Sequence, residues 1–207
     1  MNKKSIIKIK GGKVGMIGYG MLTSLESIQD ILNSPYHGAI YQVHLEGFQR
    51  AWNFACPNND PILQDDYLEY ESFFIKNNQH IPFEKTIFLN IIENKAVQLN
   101  CSLFFVSPQE LAVFDDFELG YKRIDVTHQI SEYQFENGKV YAYKALPTYE
   151  LNALADIDKC IIDQNYLDLV HSSYDALGIE SRKEFDHTTV PPNPKLVAPV
   201  VHRKIRR

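Results

Sequence analysis

Two short segments of the chain contain residues that could bind or transform a small molecule. The first is Gly18–Gly20, a Gly-x-Gly turn between an apolar run and an amphipathic segment. Backbone N–H groups in such a turn, near the positive end of a helix dipole, can bind an anion or a polarised carbonyl group. The second is the acidic cluster Asp115, Asp116 and Glu118 at the end of a predicted helix. Because carboxylates are unfavourable at that end of a helix dipole, we expect a functional role for at least one of them.

The Gly-x-Gly turn is also where a dinucleotide-binding unit would begin. That unit needs a third small residue at the helix start and an acidic residue about 20 positions later for the ribose. Here Thr23 takes the place of the third glycine, and Glu46 lies 28 residues past Gly18 (46 − 18). A dinucleotide site is therefore the weaker interpretation. A tight turn whose glycines serve backbone geometry alone is a further alternative.

Composition predicts a globular protein that does not bind nucleic acid. The chain has 207 residues, 44% of them hydrophobic, and a formal net charge of -5. Three widely spaced cysteines without a C-x-x-C motif indicate a reducing compartment. No secretory signal is visible, and no apolar run approaches the roughly 18 residues that span a membrane. We therefore expect a cytoplasmic protein without a membrane partner.

Capping signals predict two helices beside the two segments. A capping box at Thr23 and Glu26 begins the first helix, and Asn33 ends it. A second capping box at Ser107 and Glu110 begins the helix that leads to the acidic cluster. Both candidate segments are therefore predicted to lie at helix ends.

Turn signals divide the remainder of the chain. They predict a hairpin turning at residues 93–95, a hairpin at Asn137-Gly138 and a last helix from Cys160 to Leu177 that Gly178 stops. Since the middle of the chain is nearly all strand, we expect a mixed or antiparallel sheet with helices at its edge. We predict one domain over residues 1–189 and a proline-rich, basic tail over 190–207 that adds little to the core.

Four motifs, in this order, resemble the γ-glutamylcyclotransferase-like superfamily. They are the loop Tyr19–Leu22, the Gly-aromatic-x-Arg strand Gly47–Arg50, the helix end Phe114–Glu118 and the C-terminal helix pattern Tyr166–Glu180. The matched segments extend from about residue 13 to 188. Met21 departs from the pattern, because the family usually has serine there. A hydroxyl contact is lost at this position, whereas contacts through backbone N–H groups remain possible.

The resemblance implies an α+β fold: a small mixed β-barrel with flanking helices and a cavity between the Tyr-Gly loop and the acidic helix end. It implies an enzyme in which the α-amine of a γ-glutamyl compound attacks the γ-carbonyl, releasing 5-oxoproline and an amine or amino acid. Neither a cofactor nor a metal is implied. Glu118 would be the catalytic acid/base group. The implied substrate-binding residues are Gly18, Tyr19, Gly20, Met21, Leu22, Arg50, Tyr121 and Tyr143.

Other functions remain open on the sequence. A protein with this fold could bind a small acidic metabolite or a protein partner without turnover, or it could act on a γ-glutamyl group carried by another protein. Arg50 could equally form a structural ion pair. The expected partner is a small γ-glutamyl substrate, and the expected state is a monomer or a homodimer.

Overall fold

A computed structural model describes residues 4–60, 70–76, 78–151 and 154–204. The strands in these ranges are β1 (Ser5–Lys8), β2 (Val14–Gly18), β3 (Tyr41–Pro57), β4 (Tyr70–Lys76), β5 (Gln79–Pro82), β6 (Lys85–Val106), β7 (Tyr121–Asp125), β8 (Tyr133–Glu136), β9 (Val140–Ala145), β10 (Cys160–Asp163), β11 (Val197–Ala198) and β12 (Val200–Lys204). The α-helices there are α1 (Leu25–Leu32), α2 (Pro108–Phe117), α3 (Gln164–Asp175) and α4 (Ile179–Thr188). Short 3₁₀-helices cover Met21–Thr23, Leu154–Lys159 and Pro194–Leu196.

Most of these strands form one mixed sheet. Its order is β11-β10-β6-β2-β9-β7, and β3 also pairs with β6. The central strand β2 runs antiparallel to β6 and parallel to β9. Smaller sheets join β1 to β8 and β12 to β4 and β5. The predicted α+β class with a mixed sheet and flanking helices is confirmed, and no closed barrel is found in the pairing of the described strands.

Both faces of the central strands are covered. Met16 and Ile17 are neighbours on β2, so their side chains point to opposite faces of the sheet. Ile17 belongs to a cluster that includes Phe185 of α4. Met16 packs in a second cluster with Ile28 of α1 and Phe114 of α2. The turn that follows β2 is therefore held between two packed layers.

The long strands β3 and β6 pair with each other along their whole length, so the hairpin predicted at residues 93–95 is wrong. Glu46 pairs with Gln98 and Phe48 pairs with Glu93. Gly47, at φ 84°, therefore stands opposite four residues of β6. The turn signal marks a bulge in a continuous strand, because pairing with β3 on both sides outweighs the local preference to turn.

The helix beginnings agree with the sequence in one case and differ by one residue in the other. Ser107 and Glu110 form the predicted capping box of α2. At α1 the cap is Ser24, whose hydroxyl accepts from the N–H of Glu26. Thr23 is buried instead, and its hydroxyl donates to the carbonyl of Gly18. Asn33 ends α1 in the left-handed conformation, as predicted.

The predicted helix from Cys160 to Leu177 is a strand followed by a helix. Cys160–Asp163 is the buried strand β10, and it pairs with β6 and β11. The Asp163 side chain then caps α3 by accepting from Asn165 N–H. Gly178, at φ 105°, separates α3 from α4, which the sequence did not predict. A short apolar run such as Cys160–Ile162 does not distinguish strand from helix by periodicity alone.

The Asn137-Gly138 turn forms, but its two flanking strands do not make a hairpin. Asn137 adopts φ 64°. β8 pairs in parallel with β1, whereas β9 pairs with β2 and β7. The turn therefore passes the chain from one sheet to another.

The C-terminal segment contributes to the core, contrary to the prediction for residues 190–207. Within the described part of this segment, β11 extends the main sheet and β12 pairs with β4. Leu196 and Val200 are buried in two different apolar clusters. The prolines of this segment do not prevent strand pairing or burial, because proline is tolerated at strand edges and in turns.

Deletion of residues 190–207 should destabilise the protein. Each of Leu196 and Val200 loses burial worth roughly 1.5–3 kcal/mol. A total loss of about 3 kcal/mol or more lowers Tm by roughly 6–12 °C in a domain of this size. Calorimetry of the chain ending at Thr189 measures this change, with Leu196→Ala expected to show part of it and the exposed Val201→Ala almost none. An unchanged Tm after truncation would show that these contacts contribute nothing to stability.

Candidate active site

The turn after β2 forms one wall of a cavity of about 500 Å³. Gly18 ends β2, and a Cβ on it would lie 2.1 Å from the carbonyl oxygen of Leu22. Only glycine therefore allows the chain to fold back this closely. Tyr19–Leu22 then line the cavity. In the described part of the chain, no acceptor is found for the backbone N–H groups of Gly20, Met21 and Leu22.

The carboxyl group of Glu118 faces the same cavity from the end of α2. The backbone N–H of Glu118 donates to the carbonyl of Phe114, which fixes the residue at the helix C-terminus. Gly120, at φ 79°, turns the chain into β7; a Cβ there would lie 2.7 Å from the ring of Phe54. These contacts hold residues 98 positions apart (118 − 20), Gly20 and Glu118, on one cavity, as the sequence predicts.

Burial raises the pKa of the Glu118 carboxyl from 4.5 to about 7. The residue keeps partial exposure because it faces the cavity, yet the surrounding atoms exclude bulk water from the carboxyl. No described residue donates a hydrogen bond or forms an ion pair with this carboxyl. The negative end of the α2 dipole disfavours the charged form in the same direction. Glu118 can therefore accept and release a proton near neutral pH.

Two tyrosines beside Glu118 are fixed by hydrogen bonds to backbone carbonyls. The Tyr19 hydroxyl donates to the Tyr143 carbonyl at 2.8 Å, and the Tyr121 hydroxyl donates to the Leu89 carbonyl at 2.9 Å. Burial, and then the neighbouring Glu118, raises the pKa of Tyr19; burial also raises the pKa of Tyr121. Both hydroxyls stay neutral and keep lone pairs that can accept a hydrogen bond from a ligand.

The neighbouring acids have different surroundings. Asp115 accepts from the Tyr143 hydroxyl at 2.8 Å and pairs with Arg123 at 3.1 Å, so its carboxylate is already used. Burial, and then the hydrogen bond to Asp115, raises the pKa of Tyr143. Asp116 is exposed and also lines the cavity. Of the three acids, only Glu118 is both shielded from water and unpaired.

The structure brings most of the expected site residues together. The cavity is lined by Tyr19, Gly20, Met21, Leu22, Glu118, Tyr121 and Tyr143. Gly18 and Arg50 are not among the lining residues. Gly18 acts on the cavity only by permitting the turn, and Arg50 lies behind the loop.

Arg50 is fully buried, and its guanidinium meets neutral acceptors in place of a carboxylate. Its Nε donates to the Tyr19 carbonyl at 2.7 Å, and its Nη1 donates to Thr188 at 2.9 Å. Its Nη2 donates to the Tyr174 hydroxyl at 2.7 Å and to both oxygens of Asn100. Arg50 does not line the cavity where a substrate contact was expected, and no carboxylate among the described residues pairs with it. Arg50 instead holds the backbone of the cavity loop from inside the core.

Several lining residues were not anticipated from the sequence. Tyr166 and Asn165 reach the cavity from the first turn of α3, and Phe54 and Phe88 reach it from β3 and β6. A Cβ on Gly20 would lie 3.8 Å from the Tyr166 hydroxyl, which places this side chain directly against the loop. The Asp163 cap was the available signal for Tyr166. It was missed because the helix was predicted to begin at Cys160.

The lining cysteine is not activated. Burial raises the pKa of the Cys56 thiol to about 11, so the thiolate that nucleophilic catalysis requires is scarce at neutral pH.

Across the described ranges, no three His, Cys, Asp or Glu side chains lie close enough together to hold a metal ion. In the same ranges, none of the helices has the length and apolar character needed to cross a membrane.

Solved structures with the same architecture are known. No family model matches the chain, and no curated protein matches it significantly. A structure described as a gamma-glutamyl cyclotransferase superposes with a TM-score of 0.53 at 13% identity, covering 88% of this chain and 90% of that one. An uncharacterized protein from Homo sapiens superposes with a TM-score of 0.54 at 13% identity, covering 89% and 91%. This chain has the γ-glutamylcyclotransferase-like fold.

The fold that the four sequence motifs imply is confirmed. Each superposition covers most of both chains. At 13% identity the likeness concerns the fold alone.

Replacing Arg50 with lysine should destabilise the protein. One ammonium cannot reach Tyr19, Thr188 and Tyr174 together, and each buried acceptor left unpaired costs about 1–3 kcal/mol. We expect Tm to fall by roughly 6–15 °C. Arg182→Lys is the control, since Arg182 forms only surface pairs with Asp175 and Asp186, which contribute little. Equal small shifts in the two variants would contradict this role for Arg50.

Glu118→Gln should stabilise the protein only at higher pH. Because the pKa is raised from 4.5 to about 7, the folded state holds a proton that the unfolded state releases between these values. Glu118 therefore lowers the free energy of unfolding progressively as pH rises through this range, by at most about 3 kcal/mol. Denaturant unfolding at pH 4.5 and pH 8 measures the difference between variant and wild type.

The variant should match the wild type at pH 4.5 and exceed it in unfolding free energy at pH 8. Asp116→Asn, at the exposed neighbour, should show no such pH dependence. A Glu118→Gln effect that is the same at both pH values would contradict the raised pKa.

Proposed function

We propose that this protein is a γ-glutamyl cyclotransferase-type enzyme that releases 5-oxoproline and an amine from a γ-glutamyl amide. The observation that carries the proposal is the position of the Glu118 carboxyl. It has no described hydrogen-bond or ion-pair partner, burial raises its pKa to about 7, and it shares a cavity with the loop Gly20–Leu22, whose N–H groups have no described acceptor. A proton carrier and an oxyanion-binding loop are the two components that an intramolecular acyl transfer requires.

The reaction balances within a single substrate. The α-nitrogen forms a bond to the carbon of the γ-carbonyl group (Cδ of the glutamyl part), and the bond from that carbon to the leaving nitrogen breaks. Glu118 takes a proton from the α-amine and returns it to the leaving nitrogen, so that the enzyme ends as it began. A pKa of about 7 suits both halves of this transfer. Because nucleophile and electrophile belong to the same molecule, the cavity needs only to hold the chain in its folded shape.

The loop and the tyrosines supply the remaining interactions. The N–H groups of Gly20–Leu22 are available to the oxygen of the γ-carbonyl, on which negative charge develops during attack. These are backbone groups, so the serine that Met21 replaces is not needed for this contact. The hydroxyl oxygen of Tyr19 can accept a hydrogen bond from the neutral α-amine and so orient it for attack. Arg50 contributes indirectly by fixing the carbonyl of Tyr19.

Glu118→Gln should lower turnover by roughly 10²–10⁴-fold, the usual contribution of general acid/base catalysis. The amide keeps the size of the side chain but cannot relay a proton, so KM should change much less than kcat. Asp116→Asn is the matched control, because it removes a second negative charge from the same cavity. The assay measures 5-oxoproline from a panel of γ-glutamyl amides, γ-glutamyl amino acids and glutathione.

The outcomes separate the candidate functions. Loss confined to Glu118→Gln supports the assignment of the proton carrier. Equal loss in both variants would mean that the cavity needs negative charge without a specific carrier. Substrate binding without 5-oxoproline from any member of the panel would favour the alternative of a binding protein with this fold.

A further inference from the structure

One side of the cavity is a continuous wall of aromatic rings. Tyr121 stacks on Phe54 with 4.2 Å between ring centroids. Phe54 contacts Phe88 at 5.9 Å, and Phe88 meets Tyr166 edge-to-face at 5.1 Å. All four rings line the cavity. Because the Tyr121 hydroxyl is already bonded to Leu89, this wall presents mainly ring surface to a ligand.

The charged groups on the cavity are all acidic. Among the described lining residues, Asp116 and Glu118 are the charged ones, and no lysine, arginine or histidine is present. The internal residues between the described ranges, 61–69, 77 and 152–153, include no basic residue in their sequence either. Among the residues that the structure describes, the cavity therefore has no cation to pair with a carboxylate on the leaving side of a substrate.

The solvent-exposed residues that line the cavity are of two kinds. Phe117 and Leu169 are apolar, with 45% and 39% of their surfaces exposed, whereas Asp116 and Asn165 are polar. A leaving group that contacts Phe117 and Leu169 would therefore add apolar contact to that of the aromatic wall, and a carboxylate there would lie near the acidic Asp116.

We infer that the leaving part of the substrate is an apolar amine of aromatic size that carries no carboxylate. This inference rests on the proposed function. When the leaving group is an amino acid, its carboxylate is one carbon away from the nitrogen that Glu118 must reach. The glutamyl α-carboxylate is common to all the substrates compared, so it does not affect the preference. A second carboxylate, on the leaving group, would lie near a like charge and without a described cationic partner, which is unfavourable in a site shielded from water. An amine without the carboxylate keeps the ring contacts and avoids this penalty.

A matched pair of substrates isolates the carboxylate. γ-Glutamyl-phenethylamide and γ-glutamyl-phenylalanine differ only in the carboxylate of the leaving group. We expect kcat/KM for 5-oxoproline release to favour the phenethylamide on the order of 10- to 100-fold. γ-Glutamyl-methylamide tests the ring, and we expect the phenethylamide to exceed it by about tenfold or more.

Two variants test the walls that carry the inference. Phe88→Ala should reduce the ratio of phenethylamide to methylamide. Leu169→Lys places an ammonium at the exposed rim, where the fold tolerates it, and should shift the preference toward γ-glutamyl-phenylalanine by about tenfold. Equal or faster turnover of γ-glutamyl-phenylalanine by the wild type would overturn the inference and leave the proposed function standing. Absence of 5-oxoproline from all three substrates and from the wider panel would overturn both.

Discussion

The buried guanidinium of Arg50 connects the cavity loop to the rest of the protein. It donates to the carbonyl of Tyr19, to Asn100 on β6, to Tyr174 on α3 and to Thr188 on α4. Its planar face also lies 4.8–4.9 Å from the ring centroids of Phe185 and Tyr174. A buried charge is tolerated only when its hydrogen bonds are satisfied, so these elements must keep their mutual positions. Arg50 consequently holds the loop from the core side, while Tyr19–Leu22 line the cavity on the other side.

Glu118 lines the same cavity as this anchored loop. Its carboxyl has lost bulk water and gained no described hydrogen-bond donor, so the charged form is disfavoured. The same isolation that reduces stability at higher pH makes the group able to exchange a proton near pH 7. Asp115, one turn earlier, illustrates the contrast, because Tyr143 and Arg123 already satisfy it. Asp115 and Glu118 lie three residues apart (118 − 115), yet only Asp115 has described hydrogen-bond and ion-pair partners.

The sequence predicted those features that depend on local signals or on a recognised motif order. The capping box at Ser107, the shared cavity of Gly20 and Glu118, and the α+β class are examples. Features that depend on distant pairing could not be predicted in this way. β10 was taken for helix because only its pairing with β6 and β11 makes it a strand, and the signal at residues 93–95 became a bulge because β3 pairs beyond it.

The same limit applied to the candidate site. Arg50 was expected to meet a carboxylate, since a single sequence does not show that carbonyls of Tyr19 and Asn100 converge on it. Tyr166 begins the C-terminal helix pattern, but that pattern did not mark it as a cavity residue, and Phe54 and Phe88 belong to no motif. Only the packing of α3 against β3 and β6 brings these rings together. Leu196 and Val200 were likewise hidden in a proline-rich segment whose sequence resembles an extended tail.

The most direct test of the central claim is an NMR titration of the glutamate side-chain carboxyl carbons labelled with ¹³C. Glu118→Gln assigns the resonance by its disappearance. We predict that this resonance titrates near pH 7, well above the ordinary glutamate pKa of 4.5. Titration of Glu118 near that ordinary value would contradict the assignment, because the carboxyl would then be solvated or paired and would not be able to relay a proton near neutral pH.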